Sequence, residues 1–211
     1  MKTIKPVRVK ICGIKDLAGA MAAVDAGVDA LGFVFAPGPR QVDREVVRDI
    51  CTLLPPFVAR VGVFVNAPVA LVEETAAYCG LDTLQLHGEE TPEYCCSLKC
   101  KIIKAFRVQD VNPLEQVKDY DVAAVLLDTY VSGAAGGTGR CFDWRVAREF
   151  AATRRVILAG GLRPDNVARA VETARPYAVD VSSGVESGGQ KDPEKIRLFI
   201  QAAKGGAEID Q

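Results

Sequence analysis

Two side chains that can carry protons, Cys12 and Asp128, each follow a short segment rich in β-branched or apolar residues. Cys12 comes directly after Val7–Ile11, and Asp128 comes directly after Val125-Leu126-Leu127. A thiol with a pKa near 8.5 and a carboxyl with a pKa near 3.9 can exchange protons with one substrate if their site shifts both values toward 7. Such a pair suits opening of a sugar ring by the acid and removal of a carbon-bound proton by the base. Alternatively, Cys12 is a small core residue and Asp128 a solvated loop residue or a local cap.

Two glycine-rich turns could hold a phosphate. Gly160-Gly161 and Ser183-Gly184 each follow an apolar run, and each offers backbone N–H groups that a phosphate can approach closely. The segment Gly184–Gly189 leaves room for a short extra helix, which would add a favourable field. The alternative is that both segments are ordinary glycine turns.

Arg40 and His87 are further candidates. Arg40 follows the stiff turn Pro37-Gly38-Pro39, and a rigidly held arginine can bind a carboxylate through two hydrogen bonds. It could equally be a surface arginine. His87, the single histidine, is more typical of a hydrogen-bonded structural group than of a catalyst. The glycine-rich loop Ser132–Arg140 could close over a substrate, or it could be a loop without that role.

The elements that must position these residues alternate between short β-branched runs and alanine-rich amphipathic segments. The pattern predicts eight strands, at Val7–Ile11, Ala30–Phe35, Val58–Val65, Thr83–Leu86, Lys101–Phe106, Val122–Leu127, Arg155–Leu158 and Ala178–Val181. It predicts a helix after each strand, at Leu17–Ala26, Arg44–Leu54, Val69–Cys79, Pro92–Leu98, Pro113–Lys118, Asp143–Ala151, Asp165–Ala174 and Pro193–Ala203. Helix N-caps are expected at Asp16, Asp43, Thr91, Asn112 and Asp192, and first-turn prolines at Pro68, Pro92, Pro113 and Pro193.

Eight uninterrupted strand–helix units predict an α/β protein with a single (β/α)₈ barrel spanning residues 1–211, with a frayed tail at 205–211. An open doubly wound sheet is the alternative, but it usually has fewer strands. In a closed barrel, strands 6, 7, 8 and 1 are neighbours. A phosphate bound by the last two loops would therefore leave the rest of its ligand between Asp128 and Cys12.

Composition excludes several classes of protein. The chain has 211 residues, 49% of them hydrophobic, with 26 basic and 27 acidic side chains. This balance disfavours a nucleic-acid-binding surface, and the apolar runs are too short to cross a membrane. The seven cysteines include no C-x-x-C pair, so we expect reduced thiols, no metal site and a cytoplasmic protein. We expect a monomer or a homodimer.

The chain resembles the N-(5'-phosphoribosyl)anthranilate isomerase family. The resemblance rests on motifs that recur in family order from Val9 to Asp192. The most specific are the contexts of Cys12 and Asp128 together with Phe142-Asp143-Trp144. Others are Gly32-Phe33-Val34-Phe35, Pro39-Arg40, Gly62-Val63-Phe64-Val65-Asn66, Gln85-Leu86-His87-Gly88, Gly136-Gly137-Thr138-Gly139, Leu158-Ala159-Gly160-Gly161-Leu162 and Val181-Ser182-Ser183-Gly184-Val185-Glu186.

The resemblance implies an Amadori rearrangement in tryptophan biosynthesis, which moves the carbonyl of a small phosphorylated substrate from C1' to C2' without any cofactor. It implies that Cys12 is the general base and Asp128 the general acid. It further implies that Arg40 holds the anthranilate carboxylate and that Gly160, Gly161, Ser183 and Gly184 bind the phosphate.

One position departs from the family pattern: Gly38 stands where a serine is common, which could change how rigidly Arg40 is held. Two other functions remain open. Another phosphosugar isomerase or epimerase would share the phosphate loops without needing Arg40. A non-catalytic phosphosugar-binding protein would not need both Cys12 and Asp128.

Overall fold

Eight parallel strands form a closed barrel in the computed structural model, which describes residues 7–108, 117–128 and 144–205. The strands β1 to β8 are Arg8–Cys12, Ala30–Val34, Ala59–Phe64, Thr83–Leu86, Lys101–Arg107, Ala124–Asp128, Val156–Ala159 and Ala178–Val181. They pair in chain order, and β8 closes the barrel on β1. The predicted barrel is confirmed, with strand ends within two residues of the expected positions.

Helices cover the outside of the barrel. In the described part of the chain they are Leu17–Asp25, Arg44–Leu53, Val69–Cys79, Pro92–Ser97, Trp144–Ala151, Val167–Ala174 and Pro193–Lys204. The helix predicted at Pro113–Lys118 lies largely outside the described residues, as do the cap at Asn112 and the tail from residue 206.

The helix starts follow local chemistry. The side chains of Asp16, Thr91 and Asp192 accept hydrogen bonds from backbone N–H groups of the first helical turn, as expected of N-caps. Asp43 precedes its helix but makes no such bond, and Pro68 lies just before the first helical residue rather than in the first turn. Three of the predicted caps therefore form.

The core has two parts, because successive strand residues point to opposite sides of the sheet. The larger part packs between the strands and the helices and includes Val9, Ile11, Leu84 and Leu158. The smaller part fills the barrel interior with residues such as Val61, Ile103, Leu126 and Ile157. The interior therefore supports the strand ends on which the candidate site lies.

The segment after β8 contains more structure than a simple turn. Ser183–Val185 form a short 3₁₀ helix, which overlaps only the start of the segment Gly184–Gly189 where a short extra helix was expected. A two-stranded hairpin follows, in which Glu186–Ser187 (β9) pairs antiparallel with Gln190–Lys191 (β10). Gly188 and Gly189 connect them with φ angles of +57° and +77°, which L residues rarely adopt.

Candidate active site

A cavity of about 630 Å³ opens at the carboxyl ends of the barrel strands. It brings together all seven side chains or backbone positions that the sequence singled out, namely Cys12, Arg40, Asp128, Gly160, Gly161, Ser183 and Gly184. His87, Gln85 and Asp180 also line it. Cys12 and Gly184, which lie 172 positions apart in the chain, therefore face one space.

Cys12 is the last residue of β1 and is 7% exposed. Burial raises the pKa of its thiol, and the positive charges of Lys10 and Lys191 only partly offset this effect. The net shift is upward, away from neutrality, whereas the sequence argument needed a shift toward 7. In the unliganded protein the thiolate is therefore the minor form near pH 7.

Asp128, at the end of β6, lies beside the single histidine. The Nε2 atom of His87 is 3.3 Å from the Oδ2 atom of Asp128, and both side chains are about a quarter exposed. On the other side of the ring, Nε2 of Gln85 lies 3.3 Å from Nδ1 of His87. His87 thus lies between Gln85 and the candidate acid.

The two glycine turns lie side by side at the cavity. Gly160 and Gly161 have φ angles of +89° and +65°. A Cβ atom on Gly184 would clash with the carbonyl oxygen of Leu162, so the loop after β8 packs directly against the backbone of the loop after β7. This close approach needs glycine, and it brings the backbones of both loops together at the cavity.

Arg40 does not stand alone at the mouth of the barrel. Its Nε and Nη2 atoms donate to the two carboxylate oxygens of Glu186, each at 2.9 Å. Lys191 donates to the same carboxylate at 2.7 Å and to the carbonyl oxygen of Ser182 at 3.1 Å. These bonds hold the pKa of Glu186 down at about 2, chiefly through Arg40. The hairpin after β8 therefore fixes the guanidinium from the β8 side of the cavity.

Backbone geometry around Arg40 also depends on glycine. A Cβ atom on Gly13, whose φ is +78°, would come within 2.6 Å of Cδ of Arg40. Gly38 has a φ of +152° and open space around its Cβ position. Position 38, where the family commonly has a serine, thus has a backbone angle that favours glycine. The side chain of Arg40 is restrained by its two hydrogen bonds to Glu186 instead.

Sequence reasoning did not assign roles to five polar residues near the cavity, Lys10, Gln85, Asp180, Glu186 and Lys191. The sequence does contain a signal for the first three. Each lies two residues before a cavity residue, on the same strand or just past its end. Side chains two residues apart point to the same side of a strand, so these three also point into the barrel. Glu186 and Lys191 carry no such local signal, because the hairpin that presents them follows a 3₁₀ turn.

Several expectations concern parts of the chain that lie outside the described residues, including the loop Ser132–Arg140 and Cys141. Within the described ranges, no helix is long and apolar enough to cross a membrane. In the same ranges, no group of three or more His, Cys, Asp or Glu residues could hold a metal ion. The six described cysteines are free thiols, and Cys96 is the exposed one.

Fold and cavity together define a (β/α)₈-barrel protein with a thiol and a carboxyl placed around a site suited to a small anionic ligand. Residues 9–202 match the family described as N-(5'phosphoribosyl)anthranilate (PRA) isomerase. The chain belongs to this family.

Individual proteins and crystal structures that are similar to this chain agree with this membership. The N-(5'-phosphoribosyl)anthranilate isomerase of Geobacter metallireducens is 56% identical over 200 residues, which cover 94% of this chain and 99% of the relative. A crystal structure of monomers generated from the dimeric phosphoribosylanthranilate isomerase of Thermotoga maritima superposes with a TM-score of 0.84 at 40% identity, covering 94% of this chain and 99% of that one. A phosphoribosylanthranilate isomerase in complex with reduced 1-(o-carboxyphenylamino)-1-deoxyribulose 5-phosphate also has a TM-score of 0.84, at 42% identity, with the same two coverages.

Proposed function

We propose that the chain catalyses the reaction of its family with the residues that line the cavity. The reaction is the isomerisation of N-(5'-phosphoribosyl)anthranilate to 1-(2-carboxyphenylamino)-1-deoxyribulose 5-phosphate in tryptophan biosynthesis. The observation that carries the assignment of residues is the convergence of Cys12, Asp128, Arg40 and both glycine turns on one cavity. An intramolecular rearrangement of this kind moves protons within one substrate and leaves no net oxidation.

The first step is opening of the ribose ring. Asp128, in its protonated form, gives a proton to the ring oxygen. The bond between C1' and that oxygen breaks as the lone pair of the anthranilate nitrogen forms a C1'=N bond. His87, 3.3 Å from Asp128, orients the carboxyl group for this transfer.

The second step is removal of the proton on C2'. The thiolate of Cys12 takes this proton, the electron pair forms a C1'=C2' bond, and the pair of the C=N bond returns to nitrogen. The resulting enol then becomes the ketone, as C1' gains a proton and the 2'-hydroxyl loses one. Asp128 regains a proton and Cys12 gives one up, so protons and electrons balance and the enzyme returns to its starting state.

The remaining cavity residues hold the two ends of the substrate. The turns at Gly160-Gly161 and Ser183-Gly184 bind the phosphate through backbone N–H groups. Arg40 binds the anthranilate carboxylate. Glu186 engages the Nε–Nη2 edge of the guanidinium, so the outer edge with Nη1 is the one directed to the substrate.

The experiment that tests the activity is loss of the intrinsic fluorescence of phosphoribosylanthranilate when the purified protein is added.

Asp128→Asn tests the acid. This variant should fold and bind a product analogue, yet kcat should fall about 10²–10⁴-fold, the range for one acid–base group. His87→Gln serves as the control for the neighbouring position and should lose less. Near-normal turnover by Asp128→Asn would remove Asp128 from the mechanism.

The oligomeric state, a monomer or a homodimer, stays a prediction. Its support is the dimeric relative from Thermotoga maritima. Sedimentation velocity at several protein concentrations distinguishes the two states.

A further inference from the structure

A buried lysine lies next to the candidate base. Lys10 is two residues before Cys12 on β1, so both side chains point to the same side of the sheet, into the barrel. Lys10 is 3% exposed, and its Nζ atom lies 2.9 Å from Oδ1 of Asp180 on β8. A charged amine is costly to bury without a partner, and Asp180 is the partner that keeps it protonated.

The position of Gly32 locates the ammonium relative to the thiol. Gly32 lies opposite Cys12 in the register of β1 and β2. A Cβ atom built on Gly32 would be 2.8 Å from Nζ of Lys10 and 2.9 Å from Sγ of Cys12. Both atoms therefore lie against one point on the barrel wall, which only a residue without a side chain leaves free.

The charges around the thiol act in opposite directions. Lys10 lowers the pKa of Cys12 by Coulombic attraction and hydrogen bonding, and Lys191 lowers it by a smaller Coulombic attraction, whereas the carboxylate of Asp180 raises it. The Coulombic influence of Lys10 exceeds that of Asp180. The ion pair thus favours the thiolate even though its net charge is zero.

We infer that Lys10 is a positioning residue that stabilises the thiolate of Cys12, and that Asp180 holds the Lys10 ammonium in place. The inference rests on the proposed function in one respect, namely that the thiolate is the base of the reaction. Lys10 lies below the substrate cavity and touches the thiol rather than the substrate. A purely structural ion pair that joins β1 to β8 is the competing explanation, and the two make different predictions for the thiol.

The test measures the rate at which iodoacetamide alkylates Cys12 as a function of pH. The peptide that contains Cys12 is quantified by mass spectrometry, in a Cys96→Ser background because Cys96 is exposed. Lys10→Met should raise the pH midpoint of alkylation by about one unit or more, since it removes the cation that most lowers the pKa of Cys12. Asp180→Asn should also raise the midpoint, because the buried ammonium loses the partner that keeps it protonated and in place, but by less, because the loss of the Asp180 charge itself acts in the other direction. A purely structural ion pair predicts no shift of the midpoint in either variant.

Matched controls keep the result interpretable. Lys104 is also 3% exposed at its side chain and pairs with Glu90 at 2.9 Å, away from the thiol. Lys104→Met should destabilise the fold without moving the Cys12 midpoint. If Lys10→Met does not fold, the neutral double variant Lys10→Met with Asp180→Asn replaces it, and its midpoint should lie above that of the wild type. An unchanged or lowered midpoint in Lys10→Met would overturn the inference, and a lowered midpoint in Asp180→Asn would overturn the role of Asp180 in it.

The pH profile of kcat/KM separates this inference from the proposed function. If Cys12 is the base, the alkaline-side midpoint of kcat/KM moves together with the alkylation midpoint in each variant. If the alkylation midpoint moves while the kcat/KM profile stays fixed, Lys10 supports the thiolate but Cys12 is not the base.

Discussion

At the scale of single residues, Cys12 shows how burial and charge compete. The thiol is taken out of water at the end of β1, which raises its pKa, and two lysines offset only part of that cost. A base with a raised pKa is stronger once it is ionised, but less of it is ionised at neutral pH.

The first prediction concerns the pH dependence of turnover. The kcat/KM profile reports ionisation in the free enzyme. The mechanism needs Asp128 protonated and Cys12 ionised at the same time, and because the pKa of Cys12 is raised, the alkaline midpoint of kcat/KM should lie above the ordinary thiol value of about 8.5. A stopped-flow fluorescence assay between pH 6 and 10 measures this. An alkaline midpoint below about pH 8.5 would contradict the pKa direction found for the free protein.

Arg40 and Glu186 form the second residue-scale prediction. Arg40→Ala should weaken substrate binding more than the chemical step, by about 10–150-fold, the effect of losing a charge-assisted hydrogen bond of about 1.5–3 kcal/mol. Glu186→Gln keeps the shape but weakens the restraint on the guanidinium, so KM should rise with a smaller change in kcat. An analogue without the aryl carboxylate is the control, since its binding should not respond to Arg40→Ala. Tighter substrate binding by Glu186→Gln would mean that Glu186 competes with the substrate instead of orienting Arg40.

At the scale of elements, the loops after β7 and β8 act as one unit because their backbones touch. Gly184 makes this contact with the carbonyl of Leu162. Since the neighbour is backbone, it cannot rotate away as a side chain would. The spacing of the backbone N–H groups at the candidate phosphate site therefore depends on one missing Cβ atom.

The prediction at this scale is that Gly184→Ala separates the two loops. KM should rise by more than about tenfold, because charge-assisted bonds to a phosphate are worth about 1.5–3 kcal/mol each. Inorganic phosphate should also lose its inhibitory effect. Gly188→Asn, in the β9–β10 turn, is the matched control, because its Cβ meets open space and asparagine tolerates a positive φ. Equal KM values for wild type and Gly184→Ala would show that this turn does not contribute to phosphate binding.

At the scale of the whole molecule, the contact of Glu186 with Arg40 and Lys191 ties the loop after β2 to the loop after β8. The pKa of Glu186 is about 2 in the folded protein and near 4.3 in an unfolded chain. A carboxyl whose folded-state pKa is depressed contributes stability above its unfolded value and loses that contribution as the pH falls toward its folded value. The contact therefore links barrel stability to acid pH.

The corresponding prediction is measured by urea unfolding between pH 6 and pH 2.5. The wild type should lose more unfolding free energy over this range than Glu186→Gln, whose side chain does not titrate. The difference should be modest, because Arg40 is one third exposed and solvent screens the pair. Parallel curves for the two proteins would show that this carboxyl does not contribute to acid sensitivity.

The amino-acid sequence by itself was enough to predict the order of strands and helices, the closed barrel and the residue types at the strand ends. These features depend on local periodicity, on caps such as Asp16 and Asp192, and on the rule that parallel strands present their carboxyl ends at one face. Cys12, Asp128 and the two glycine turns could be selected for this reason before any tertiary contact was known.

Only the tertiary structure decided which charged groups meet. Lys10 finds Asp180 at a separation of 170 residues, and Arg40 finds Glu186 at a separation of 146. It also decided the direction of the Cys12 pKa, which turned out opposite to the one that the acid–base argument required. The physical reason is that ion pairing and pKa depend on distances of a few ångströms and on burial. Both are set by how distant strands pack around the barrel interior, and no local pattern in the chain encodes them.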